Sequence, residues 1–116
     1  MKKAVGVLFS VIVLVIAAGS LFLATCCRAY RIRSGSMEPT VPYDSVVIVL
    51  RRDRIRQEMT AGKIYAYQKG QLTVVHRMIG RDPEGNGYIF RGDANNTPDA
   101  GFIQESQITG KVILVF

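Results

Sequence analysis

Thr73-Val74-Val75-His76-Arg77-Met78-Ile79 alternates β-branched and apolar residues with polar ones. Its period of two, with no glycine or proline inside, is that of a strand half in contact with a core. The same period puts His76, the sole histidine, on one face with Val74 and Met78. Outward from this stretch, residues 46–50, 63–67, 88–91 and 111–116 read as further strands. They are bounded by Asp44 and a run of arginines, by Lys69-Gly70, by Asp82-Pro83-Glu84-Gly85-Asn86-Gly87, and by the polar stretch 92–101. Residues 54–60 are expected to make at most a short helical turn before Gly62. The pattern predicts a mainly β fold, a small antiparallel sheet folded over itself or a partly open barrel.

Only one small domain fits. Of the 116 residues, 4–27 carry no charged side chain, leaving 28–116 for a water-soluble fold. The two cysteines, Cys26 and Cys27, are adjacent and cannot staple that domain with a disulfide framework. The charge-free stretch of 24 residues would be about 36 Å long as a helix, enough to cross a hydrocarbon core of about 30 Å with some tilt. Residues 1–27 are therefore expected to be a tail and membrane anchor, and 28–116 a separate β-rich domain. A cleavable signal would have a shorter apolar run and a small-x-small site, which Thr25-Cys26-Cys27-Arg28 lacks; Thr25 also argues against lipoprotein processing at Cys26. Lys2 and Lys3 favour a cytoplasmic N-terminus with the domain outside, although Arg28, Arg31 and Arg33 pull the other way.

The net charge of +6 includes a cluster at Arg51, Arg52, Arg54 and Arg56. Beside an anchor, such a cluster suits lipid headgroups or a solvated loop, and it lacks the interleaved aromatics that stack nucleic-acid bases. No nucleic-acid partner is expected.

Chemistry is suggested between the anchor and the first of these strands. Ser34-Gly35-Ser36-Met37-Glu38-Pro39-Thr40 is a small-residue turn carrying two serine hydroxyls, with Gly35 relieving the backbone and Pro39 stiffening the exit. Such a turn can project Ser36 as a nucleophile toward nearby oxyanion donors. His76, a neutral imidazole on a rigid strand, can serve as its general base or can simply be a satisfied core residue. Asp93 and Asp99 lie in a loop rich in turn formers, where either can orient His76; alternatively Asp93 closes an Asx turn and Asp99 is solvated. One histidine and two membrane-edge cysteines make no zinc shell, so neither a metal nor another cofactor is called for.

In order, the chain presents a membrane anchor, SGSMEPT, Val74-Val75-His76-Arg77, and Gly92-Asp93-Ala94-Asn95 with Asp99 six residues after Asp93. This series resembles type I signal peptidases over nearly the whole chain, in the branch where histidine replaces the general-base lysine. The resemblance implies the signal peptidase fold and a serine endopeptidase that removes signal peptides from exported preproteins after small residues of the Ala-x-Ala type. It makes Ser36 the nucleophile, His76 the base and Asp99 the carboxylate orienting it. Asp93 would hold the loop and the site together, and Ser34 would assist the oxyanion hole beside the Ser36 amide. The implied partners are preproteins and the lipid bilayer, with the domain on the extracytoplasmic or lumenal side. The chain departs from the family where it stops at Phe116 without a second membrane helix or added domain, and where Ala100 and Gly101 replace a basic residue after Asp99. Those departures leave room for an accessory membrane subunit or a narrow substrate range. A LexA-like self-cleaving regulator is opposed by the anchor and by His76; an inactive peptide-binding module of the same fold is the other alternative.

Overall fold

A computed structural model describes residues 1–55 and 59–116. Its first element is one helix, α1 (Lys2–Cys26), whose 25 residues span about 37 Å. The helix exposes apolar side chains all round, among them Val5, Phe9, Leu14, Leu21 and Phe22, and no part of its most apolar window is covered by the rest of the chain. A helix apolar on every face is stable only against lipid or another apolar surface, and this one is long enough to cross a membrane.

Six strands follow: β1 (Cys27–Arg31), β2 (Val46–Arg51), β3 (Ile64–Lys69), β4 (Leu72–Arg81), β5 (Tyr88–Arg91) and β6 (Ile108–Val115). They form a single sheet in the order β1-β2-β6-β3-β4-β5, every neighbouring pair antiparallel. Among the described residues the sheet does not close: β1 and β5 each have one partner strand, and the far side of β5 takes only an isolated bridge between Tyr88 and Ile103. β6 is inserted between β2 and β3, so the last strand to be made holds the two halves together. Its Gly110 passes so close to β2 that a Cβ there would lie 2.2 Å from the Leu50 carbonyl oxygen.

Alternation along β3 sorts the interior into two clusters. Ala66 joins Ile32, Met37, Val41, Val47, Val49 and Val75 on one face. Tyr65 and Tyr67 join Met59, Met78, Phe90, Ile103 and Ile108 on the other. Val74 packs on the second cluster, Met78 lies within it, and His76 leaves β4 on their side, as period two predicts.

The sequence pattern does not reveal the strand at Cys27–Arg31, which begins directly after the helix ends at Cys26. Two arginines in five residues hide a strand from a search for apolar alternation. β1 lies at the sheet edge, where charged side chains stay hydrated. β6 starts at Ile108, three residues before the expected start at 111. A 3-10 turn forms at Arg52–Arg54; the helical turn expected within 54–60 falls on residues 56–58, Arg56 of the basic cluster included, which lie outside the described residues.

Candidate active site

The SGSMEPT turn is anchored from below. Met37 and Val41 are fully buried in the first cluster, and the Val41 backbone N–H donates to the Met37 carbonyl at 2.9 Å. Glu38 closes the turn with a 3.1 Å bond from its N–H to the Gly35 carbonyl. Two apolar side chains driven into the core leave the residue between Gly35 and Met37 at the rim, where Ser36 is half-buried. Ile32 and Ser45 fasten the ends, the Ile32 N–H donating to the Ser45 carbonyl at 2.8 Å.

The loop after β5 grips this turn from the side. The Ala94 N–H donates to the Ser36 carbonyl at 2.9 Å, and the Asp93 N–H points at the Met37 sulfur at 3.3 Å. Gly92 is required by close approach: a Cβ there would meet the Ser36 carbonyl oxygen at 2.5 Å and His76 Nε2 at 3.1 Å. Further along, the Asp99 N–H donates to the Phe90 carbonyl at 2.8 Å, turning its carboxylate back toward the sheet.

Three side chains far apart in sequence therefore stand in line. Ser36 Oγ lies 3.0 Å from His76 Nε2, and His76 Nδ1 lies 2.6 Å from Asp99 Oδ2. The imidazole and the carboxylate are only 11% and 12% exposed. With Asp99 Oδ2 as the acceptor, Nδ1 carries the ring proton and Nε2 is left to accept from the Ser36 hydroxyl. The Ser34 hydroxyl lies 3.0 Å from Ser36 Oγ, on the exposed side of the turn. Among the described residues no hydrogen bond uses the Ser36 backbone N–H, which remains a free donor beside Ser36 Oγ. This arrangement can activate a hydroxyl, orient the base that activates it and receive a developing oxyanion. No family model matches the chain, and no curated protein does.

Asp93 stands apart from this line. Its carboxylate takes a bidentate pair from Arg77, Nε at 2.8 Å and Nη2 at 2.7 Å, and a third bond from the Thr40 hydroxyl at 2.7 Å. The Arg77 guanidinium, helped by Thr40, holds the Asp93 carboxyl below the usual carboxylate range against an opposing push from burial. Asp93 thus ties β4 and its own loop to the SGSMEPT turn, and neither solvation of Asp99 nor an Asx turn at Asp93 describes their carboxylates. The backbone turn that does form there runs from the Asn95 N–H to the Gly92 carbonyl.

One contributor carried no signal in the sequence. The Tyr67 hydroxyl donates to Asp99 Oδ2 at 2.5 Å, the same oxygen that faces His76. Burial first, then the Asp99 carboxylate, raises the Tyr67 phenol well above its ordinary value and keeps it a donor. A tyrosine in an apolar run reads as core, and Tyr67 is core in all but its oxygen.

A groove of about 500 Å³ opens beside Ser36, walled by Tyr30, Ile32 and Ser34 on one side and by Leu72, Val74 and His76 on the other. β4 pairs with β3 over Leu72 to Arg77 but with β5 only from Arg77 onward, so among the described residues the backbone edge from Leu72 to Val75 that faces away from β3 has no partner strand.

Proposed function

We propose that the chain is a membrane-anchored serine endopeptidase of the type I signal peptidase kind, removing N-terminal signal peptides from exported preproteins after small residues. The single observation carrying this reading is the line from Ser36 Oγ through His76 to Asp99, at 3.0 and 2.6 Å, one turn and one strand beyond a helix able to span a membrane. In the reaction, His76 Nε2 takes the Ser36 proton as Oγ attacks the scissile carbonyl. Asp99 keeps the ring in the required tautomer and balances the imidazolium. The Ser36 N–H and the Ser34 hydroxyl receive the oxyanion, and Nε2 returns its proton to the leaving amine. Water, activated by the same nitrogen, then hydrolyses the acyl-enzyme. A positioned base contributes roughly 10²–10⁴ in rate, and one oxyanion donor about 10²–10³.

The groove supports an extended substrate. A chain laid beside the free edge of β4 would exchange main-chain hydrogen bonds with it and present alternate side chains to the wall beside Ser36, where Ile32, Met37 and Val75 favour small apolar groups. On this reading the N-terminus is cytoplasmic, the domain extracytoplasmic or lumenal, and α1 holds the groove at the surface where exported chains emerge.

Incubation of a preprotein with the full chain in detergent tests the proposal. Wild type should release mature protein, while Ser36→Ala and His76→Ala leave the precursor intact with unchanged circular dichroism. Equal outcomes for wild type and Ser36→Ala would instead favour a module that holds exported peptides in the same groove without cutting them.

A further inference from the structure

A second cleft, of about 700 Å³, lies where α1 ends and the sheet begins, lined by Arg28, Tyr30, Arg51, Arg52, Asp53, Gln68, Thr73 and Thr109. Three guanidiniums face one lining carboxylate. Arg52 is engaged by Glu105 from outside the cleft, but among the described residues neither Arg28 nor Arg51 has a carboxylate within ion-pair distance. The arginines come from both sides of the β1–β2 ladder, Arg28 from the edge strand and Arg51 from the end of β2, so the sheet gathers charges 23 positions apart in the chain. Gln68, Thr73 and Thr109 add polar side chains to the lining from β3, β4 and β6.

We propose that this cleft binds the phosphate of an anionic phospholipid headgroup. Charge sets the class of ligand: guanidinium forks match phosphate oxygens and retain their charge at any physiological pH. Position sets the source. Arg51 Nη1 donates to the Thr25 carbonyl at 3.2 Å, fixing one wall of the cleft to the last turn of the helix, where Leu21, Phe22 and Leu23 are exposed. A headgroup at that height finds apolar surface for its acyl chains next to the arginines, which free phosphate does not need and cannot use. The cleft also shares Tyr30 and Thr73 with the groove at Ser36, so a bound headgroup would set the height of that groove above the bilayer. The basic cluster legible in the sequence is thereby redrawn: Arg54 does not line the cleft, and Arg28, distant in sequence, does. The proposal stands independently of the peptidase reading, because its test needs no cleavage.

The full chain in neutral detergent micelles would be titrated with phosphatidylglycerol, phosphatidylcholine or inorganic phosphate, and retained lipid read by native mass spectrometry. Wild type should retain phosphatidylglycerol over phosphatidylcholine. Arg28→Gln, which removes no hydrogen bond within the described residues, should lower apparent affinity about fivefold, and Arg28→Gln with Arg51→Gln by about fivefold more. Arg54→Gln should leave affinity unchanged. Equal retention of the two lipids, undiminished retention by both Arg28 variants, or displacement by an equal concentration of inorganic phosphate would each overturn it.

Discussion

At Asp99 a single carboxylate oxygen serves two donors, the His76 ring and the Tyr67 hydroxyl. Tyr67 holds Asp99 against the ring, and on the proposed peptidase reading it is a positioning residue that should matter to turnover more than to binding. Tyr67→Phe is expected to lower kcat roughly ten- to a hundredfold with KM nearly unchanged, the loss that one hydrogen bond to a charged group, about 1.5–3 kcal/mol, would give. Steady-state kinetics on a preprotein peptide would check it; a change confined to KM would assign Tyr67 to the groove instead. Asp93 makes a different prediction, about stability. Its carboxyl is lowered by Arg77 and Thr40 in the folded chain, so the pair contributes fully above the unfolded value of about 4 and is lost as pH falls through the folded one. Thermal midpoints measured from pH 6 down to pH 2 should drop most steeply below about pH 4 in wild type. Asp93→Asn should start lower by about 1–3 kcal/mol of stability and lose part of that slope.

Between the SGSMEPT turn and the loop after β5, the contact is backbone on backbone, and Gly92 is its tightest point. Gly92→Ala would push a methyl against the Ser36 backbone carbonyl at 2.5 Å and the Asn95 side-chain nitrogen Nδ2 at 2.8 Å. The Asn95 side chain can turn aside, but the Ser36 backbone cannot yield without moving Ser36 relative to His76, and on the peptidase reading a displacement of about 1 Å can cost on the order of 10²-fold in rate. The expected result is a kcat/KM lowered about a hundredfold with a far-ultraviolet spectrum like that of wild type. Wild-type kinetics in the variant would mean that the loop relaxes without disturbing the hydroxyl. These elements were unevenly legible. The apolar alternation of β4 and the β-branched run of β2 exposed both strands, because each must feed a core. β1 was hidden because an edge strand can be built from arginines and still pair, residue for residue, with Val46 to Leu50.

Helix α1 runs directly into β1 at Cys26 and Cys27 and is tied to β2 by the Arg51–Thr25 hydrogen bond; its apolar window, uncovered by the sheet, suits a membrane rather than water. Val13→Asp in α1 should cost about 3 kcal/mol of insertion free energy and leave more of the chain extractable by alkaline carbonate, while the sheet, which buries nothing of that helix window, keeps its fold. Full retention in the membrane fraction would show that the helix is held by something other than its apolar length. A charge-free run long enough to span, strands with a period of two, and the presence of one serine turn, one imidazole and two loop carboxylates were all local properties, set by side-chain chemistry over a few residues. Which carboxylate meets the ring was not local. Asp93 and Asp99 sit in the same loop and look alike in sequence; Arg77 and Thr40 claim the first, and Tyr67 with His76 claims the second. That division exists only once β6 has entered between β2 and β3 and brought β4 beside the turn, since contacts across 40 residues, such as Ser36 to His76, depend on strand order, which no short stretch of chain encodes.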